Sequence, residues 1–227
     1  PTASVLADAA VHGYTTAFWW AAGIFGVFLF LTYYLQQNLG YSPVKTGLAF
    51  LPLSAVIIAT ATTATTKLLP RFGARPLMTT GMLLASAGMV VLAQLGPHSS
   101  YAGHILPALI LQALGMGLVF APAMSGATLG VAPSDAGVAS AMVNTSQQVG
   151  GSIGTAVLST LANTAAASFV VGQRPTASVL ADAAVHGYTT AFWWAAGIFA
   201  VGAAVTGLVL RSGAPQHAPA AEPVLAH

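Results

Sequence analysis

The chain has 227 residues, of which 56% are hydrophobic and only 4% charged, with a formal net charge of +2. A soluble domain carries roughly a quarter charged residues, so the composition excludes a water-soluble globule and indicates an integral membrane protein. The few charges are too scattered for nucleic-acid binding, and the lack of cysteine excludes disulfides and thiolate metal sites.

The string PTASVLADAAVHGYTTAFWWAAGIF occupies Pro1–Phe25 and recurs unchanged at Pro175–Phe199. An old repeat would have drifted, so the copy reads as a recent duplication, a splice or an assembly error. Pro1 in place of an initiator Met, and a copy that starts halfway into an apolar span, read as a rearranged piece of a larger protein. Segment 1–25 is thus expected to feed the first helix. No basic stretch precedes the apolar run, so no signal peptide is expected.

A bilayer core takes about 20 mostly apolar residues per helix. Six segments reach that length: Tyr14–Leu35, Gly47–Thr66, Leu77–Leu95, Ile105–Met124, Ala139–Ala165 and Thr189–Leu210. They are too long and too rich in Leu, Ala and Gly for barrel strands, which leaves helices to satisfy a lipid-embedded backbone. The expected fold is all-α, with six transmembrane helices in one bundle over 14–210. Ala166–His186 reads as a longer exterior loop with a short helix at Ala177–Ala184, and 211–227 as a disordered Pro/Ala-rich tail. Lys67, Arg71, Arg75 and Arg211 fall on one side, against Lys45 and Arg174 on the other. The majority side marks the cytoplasm, which places both termini there. Trp19, Trp20, Trp193 and Trp194 suit interfacial anchors or plain apolar helix surface.

No Asp, Glu, Lys, Arg or His lies inside the six expected spans. Embedded ionisable groups mark proton and ion relays, so the chain has no evident coupling site of its own. The histidines lack metal-ligand spacing, and no metal or cofactor is expected. Ser125-Gly126 and Gly151-Ser152 have no helix-borne His to act as base, so no enzyme is expected.

In the fifth span Asn144, Gln148, Gly151 and Thr155 step by four, three and four and share one helix face, with Gln147 beside it. Gly150 and Gly154 form a GxxxG pair that lets another helix approach closely, next to Gly151. The polar stripe reads either as interhelical hydrogen-bonding glue or as the lining of a substrate pathway. Tyr33, Tyr34, Gln36 and Gln37 give the first span a polar end, a second pathway candidate, and Gln112 is a lone polar residue in the fourth. Gly115 and Gly117 read as packing residues. The threonines between Thr60 and Thr66 can bond back to their own helix. In KLLPRFGARPLMTTG, Arg71, Gly73 and Arg75 suit topology, or a latch to Asp135 that closes the cytoplasmic side.

FLFLTYYLQQNLGYSPVKTGLAFLPL, RFGARPLMTTGMLL and LGMGLVFAPAMSGATLGVAPSDAGVASAMVNTSQQVGGSIGTAV, in that order, resemble the C-terminal part of major facilitator superfamily exporters. The nearest branch is the bacterial fourteen-span drug:proton antiporters. The resemblance implies a half-bundle that faces a second half across a midplane cavity and rocks against it. It implies a gating loop of the form G-x-x-x-D-R-x-G-x-R. Arg71, Gly73 and Arg75 match it, while Thr66 stands at its first Gly and Pro70 at its acid. The implied function is proton-coupled efflux of hydrophobic or cationic small molecules across a bacterial inner membrane. The implied partners are the lipid bilayer, the substrate and the missing N-terminal half or a second chain. The alternatives are a half-size homodimeric solute transporter and a non-transporting truncated membrane protein.

Overall fold

A computed structural model of the chain describes residues 18–19, 21–97, 99–128 and 136–209. Every regular element among them is helical. Helix α1 covers 21–33 and runs on through a π-turn at Tyr34–Asn38. Helix α2 is Pro43–Ala49, and α3 is Leu51–Thr63, continuing through a π-turn, Ala64–Leu68, into α4, Leu69–Phe72. Helix α5 is Ala74–Leu92. A π-turn at Tyr101–Ile105 leads into α6, Leu106–Thr128, followed by α7, Ala136–Val170, and α8, Ala177–Val209.

Five stretches are long and apolar enough to cross a membrane: Pro43–Phe72, Ala74–Leu92, Tyr101–Phe120, Gly137–Val170 and Ala177–Leu208. They coincide with the second to sixth expected spans. The first expected span begins outside the described residues; its helix α1 places Ala21, Leu31 and Leu35 in the core. The chain is therefore an all-α, multi-pass membrane bundle. The tail 211–227 and most of the first copy of the repeated string lie outside the described residues.

Local chemistry sets several helix ends. Ser42 accepts the Lys45 N–H at 3.2 Å, and Pro43 opens α2, where its missing N–H costs nothing. Gly73, at φ 78°, makes the break between α4 and α5, a conformation that side chains with a Cβ resist. Pro122 lies within α6.

The expected loop Ala166–His186 is corrected: α7 runs to Val170, α8 starts at Ala177, and only 171–176 turn. Gly172 takes φ 77°, the Gln173 amide donates to the Phe169 carbonyl at 2.6 Å, and Thr176 Oγ1 accepts the Val179 N–H at 3.3 Å. The apolar pattern fades before the helices stop, because caps and not hydrophobicity end a helix. Asp182 and His186, read as loop residues, consequently ride on α8. At 35 and 33 residues, α7 and α8 are about 50 Å long at 1.5 Å per residue.

The interior is built on close backbone approach. A Cβ on Gly81 would lie 2.8 Å from the Gly115 carbonyl oxygen, and one on Gly117 would lie 2.6 Å from Thr60 Cβ. These contacts bring α5 and α3 against α6, with Met82, Met89 and Leu109 filling the core. Tyr34 donates to the Gly96 carbonyl and Tyr101 to the Ala49 carbonyl, both at 2.6 Å, and Ser86 donates to the Ala196 carbonyl at 2.9 Å. Trp193 and Trp194 sit midway along α8 and are half exposed.

Candidate functional site

Helix α7 carries the polar stripe. Asn144 and Gln148 are exposed, while Gln147 and Thr155 are half-buried. None of the four makes a side-chain hydrogen bond among the described residues. Thr145, Ser152, Thr160 and Ser168 behave differently, each donating to the carbonyl four residues back at 2.8 to 2.9 Å. The α7 hydroxyls thus split into a set absorbed by the helix and a set that faces outward with the amides. At the end of α3 and in the π-turn that follows it, Thr62, Thr63, Thr65 and Thr66 are all absorbed in this way at 2.8 Å.

The glycines lie on the adjoining face. A Cβ on Gly150 would come within 2.9 Å of Phe18 Cα, one on Gly154 would strike the backbone of Ala22, and one on Gly151 would sit 2.8 Å from the Phe25 ring. This face of α7 is therefore laid against α1, and the amide stripe runs beside that seam.

Towards the α7–α8 turn, α1 and α7 part over α8 and leave a cleft of about 390 Å³. Its polar lining is Tyr33 and Gln37 from α1, Ser159 and Asn163 from α7, and Tyr188 from α8. Ala162, Ala166, Ala184 and Gly187 keep the floor low; a Cβ on Gly187 would lie 2.7 Å from the Ala162 carbonyl oxygen. Tyr188 donates to Gln37 Oε1 at 3.4 Å, and its ring packs tilted on Phe30 with centroids 5.9 Å apart.

The structure separates the polar end of the first span. Tyr33 and Gln37 line the cleft, Gln36 is half-buried outside its lining, and Tyr34 is fully buried with its hydroxyl on Gly96. Tyr34 therefore ties α1 to the α5–α6 loop and is not part of the cleft. Arg71 is exposed on α4, Gly73 is the buried break, and Arg75 is half-buried in the first turn of α5. Asp135 lies outside the described residues. Sequence reasoning missed Ser159 and Asn163, although they continue the four-residue step from Thr155. Ala184 was hidden in the expected loop, and Gly187 fell between that loop and the sixth expected span.

The description Major Facilitator Superfamily matches residues 3–155. The chain belongs to the Major Facilitator Superfamily. It is 44% identical over 192 residues to the puromycin resistance protein pur8 of Streptomyces alboniger, covering 84% of this chain and 38% of that one. Against the cephamycin export protein CmcT of Amycolatopsis lactamdurans it is 38% identical over 135 residues, 60% of this chain and 28% of the relative. A solved structure, described under substrate recognition in proton dependent oligopeptide transporters, superposes with a TM-score of 0.73 at 18% identity. It covers 91% of this chain and 42% of its own, and it shares the fold. The chain spans well under half the length of these relatives. This superfamily chain is a multi-pass bacterial membrane protein of a transporter family, whose matched relatives are named for resistance and export and not for enzymes.

Proposed function

We propose that the chain forms the C-terminal half of a proton-coupled exporter of hydrophobic or cationic small molecules, of the fourteen-span drug:proton type, with both termini cytoplasmic. The observation that carries this reading is the α7 stripe. Three carboxamides without partners among the described residues sit beside the α1 seam of a half-bundle whose relatives are more than twice as long. An amide facing lipid without a partner costs a few kcal/mol, on the order of 2–7, so the stripe calls for a polar cover. A facing half with water and substrate between supplies one. The two least enclosed spans agree with this: only 17% of the spanning window is buried in Pro43–Phe72 and Gly137–Val170, against 44–50% in the other three.

On this reading Asn144, Gln147, Gln148 and Thr155 line the pathway and offer donors and acceptors without a fixed charge. The proton-carrying acid belongs to the facing half. Arg71 and Arg75 would pair with Asp135 when the cytoplasmic side is shut. The names of the relatives, resistance to puromycin and export of cephamycin, support an antibiotic-like cargo.

The test joins the chain to the N-terminal part of the Streptomyces alboniger relative in inverted membrane vesicles and follows ethidium extrusion on energisation. Gradient-driven extrusion by the pair, absent from either part alone and abolished by a protonophore, is the expected result. No extrusion by the pair would sink the export reading, and extrusion indifferent to the protonophore would sink the coupling.

A further inference from the structure

The α7 stripe does not stop at Thr155. Ser159 and Asn163 follow at steps of four, so polar or glycine positions recur from Asn144 to Asn163 on one broad flank of the helix. Those 19 steps rise about 28 Å at 1.5 Å each, close to the roughly 30 Å of a bilayer's hydrocarbon core. The track is centred on α7 and ends in the cleft.

We propose that the cleft between α1, α7 and α8 is a binding site for an uncharged, ring-bearing molecule that both donates and accepts hydrogen bonds, held at the end of the track. The proposal rests on the export reading and deepens it, making the cleft the last station before release for the uncharged part of the cargo, while cations such as ethidium leave without stopping there. Two aromatic faces are available. Tyr33 is 42% exposed, and Tyr188 is held in place by the Phe30 ring and by Gln37. Offset or edge contacts with such rings stabilise aromatic guests. With Gln37 Oε1 taken by the Tyr188 hydroxyl, the Gln37 amino group remains a donor. Asn163 and Ser159 make no side-chain hydrogen bond among the described residues, and between them offer donors and acceptors. The volume of about 390 Å³ falls in the roughly 300–1,000 Å³ typical of small-molecule sites.

Charge decides the ligand class. No Asp, Glu, Lys, Arg or His is among the lining residues. An ion entering the cleft would lose hydration without a counter-charge, and the two tyrosine faces alone offset little of that. A neutral guest pays no such penalty.

The whole chain in lipid nanodiscs is photolabelled with 4-benzoylbenzamide, an uncharged aromatic amide, and with its cationic counterpart (4-benzoylbenzyl)trimethylammonium. Labelled peptides are mapped by mass spectrometry. The neutral probe should label 159–166 and 184–188 saturably and at least tenfold more than the cationic one. Asn163→Leu, at an exposed position of α7, and Ala166→Phe, which raises the half-buried floor of the cleft, should each cut that labelling at least fivefold. Val201→Ala, on an exposed stretch of α8, should leave it unchanged. Circular dichroism and elution volume confirm that each variant is folded. Labelling that does not saturate, that survives both blocking variants, or that favours the cation would overturn the proposal. Saturable labelling lost in the blocked variants, with no ethidium extrusion from the joined protein, would uphold the site while sinking the export reading.

Discussion

Gly154 and Ala22 meet backbone to backbone: a Cβ added to Gly154 would strike the Ala22 carbonyl and Cα. Neither partner can turn away as a side chain would, so this contact fixes the distance between α7 and α1. Four residues earlier, Gly150 repeats it against Phe18, and the two together form a seam one helical turn long.

Widening that seam should be costly. Gly154→Leu is expected to destabilise the bundle by about 1–3 kcal/mol or more, the usual effect of overpacking, with Gly154→Ala losing less. Gly137→Leu, where an added Cβ meets nothing within 4 Å, should be near neutral. Unfolding in mixed dodecyl sulfate micelles would rank the three, and equal midpoints for Gly154→Leu and Gly137→Leu would refute the seam.

Tyr34 anchors the far end of α1 through its 2.6 Å hydrogen bond to Gly96. Tyr34→Phe keeps the ring and leaves the part-buried Gly96 carbonyl short of one donor, which should lower stability by about 0.5–1.5 kcal/mol, the net worth of one hydrogen bond. Because Tyr34 is outside the cleft lining, benzophenone labelling there should be unaltered in this variant. A drop in labelling without a drop in stability would place the hydroxyl in the site instead.

Gln112 carries the opposite expectation. It is 1% exposed, and both polar atoms of its amide are buried without a partner among the described residues. Its main chain and Oε1 lie opposite Gly88 on α5, 3.3 and 3.4 Å from where a Cβ would sit. Replacing an unsatisfied amide by an apolar group of similar size removes the desolvation cost, so Gln112→Met should raise the unfolding midpoint. A fall of more than about 1 kcal/mol, the net worth of one hydrogen bond, would reveal a buried water holding the amide.

Accessibility distinguishes the flanks of α7. In the joined protein, Asn144→Cys and Gln148→Cys should react with a membrane-impermeant maleimide, and ethidium should slow that reaction. Val149→Cys, 46% exposed on the neighbouring flank, should stay unreactive in lipid. Protection of both stripe positions from the reagent would remove them from any aqueous pathway.

Much of this architecture was legible in the residues. Length and hydropathy located the second to sixth spans, because lipid leaves a backbone no other way to satisfy its polar groups. The step of four, three and four placed Asn144, Gln148 and Thr155 on one face, and helix geometry alone guarantees that. The Gly150/Gly154 spacing flagged a close approach but not its partner. The cleft was not legible, since Tyr33, Asn163 and Tyr188 meet only when α1, α7 and α8 are packed. The α7–α8 loop was misread because its helices outrun the apolar pattern and end at Gly172 and Thr176.

The repeated string draws the line most clearly. Its composition and span length were fixed before any folding, and among the described residues the first copy is helical throughout and the second from Ala177 on. Yet Phe25 is 48% exposed while its twin Phe199 is fully buried, and Gly23 lies under the Phe199 ring while its twin Gly197 has nothing within 4 Å. Helix formation follows from the residues themselves and the apolar surroundings they require. Burial, and with it any site, follows from which neighbours arrive, and that only the packed bundle decides.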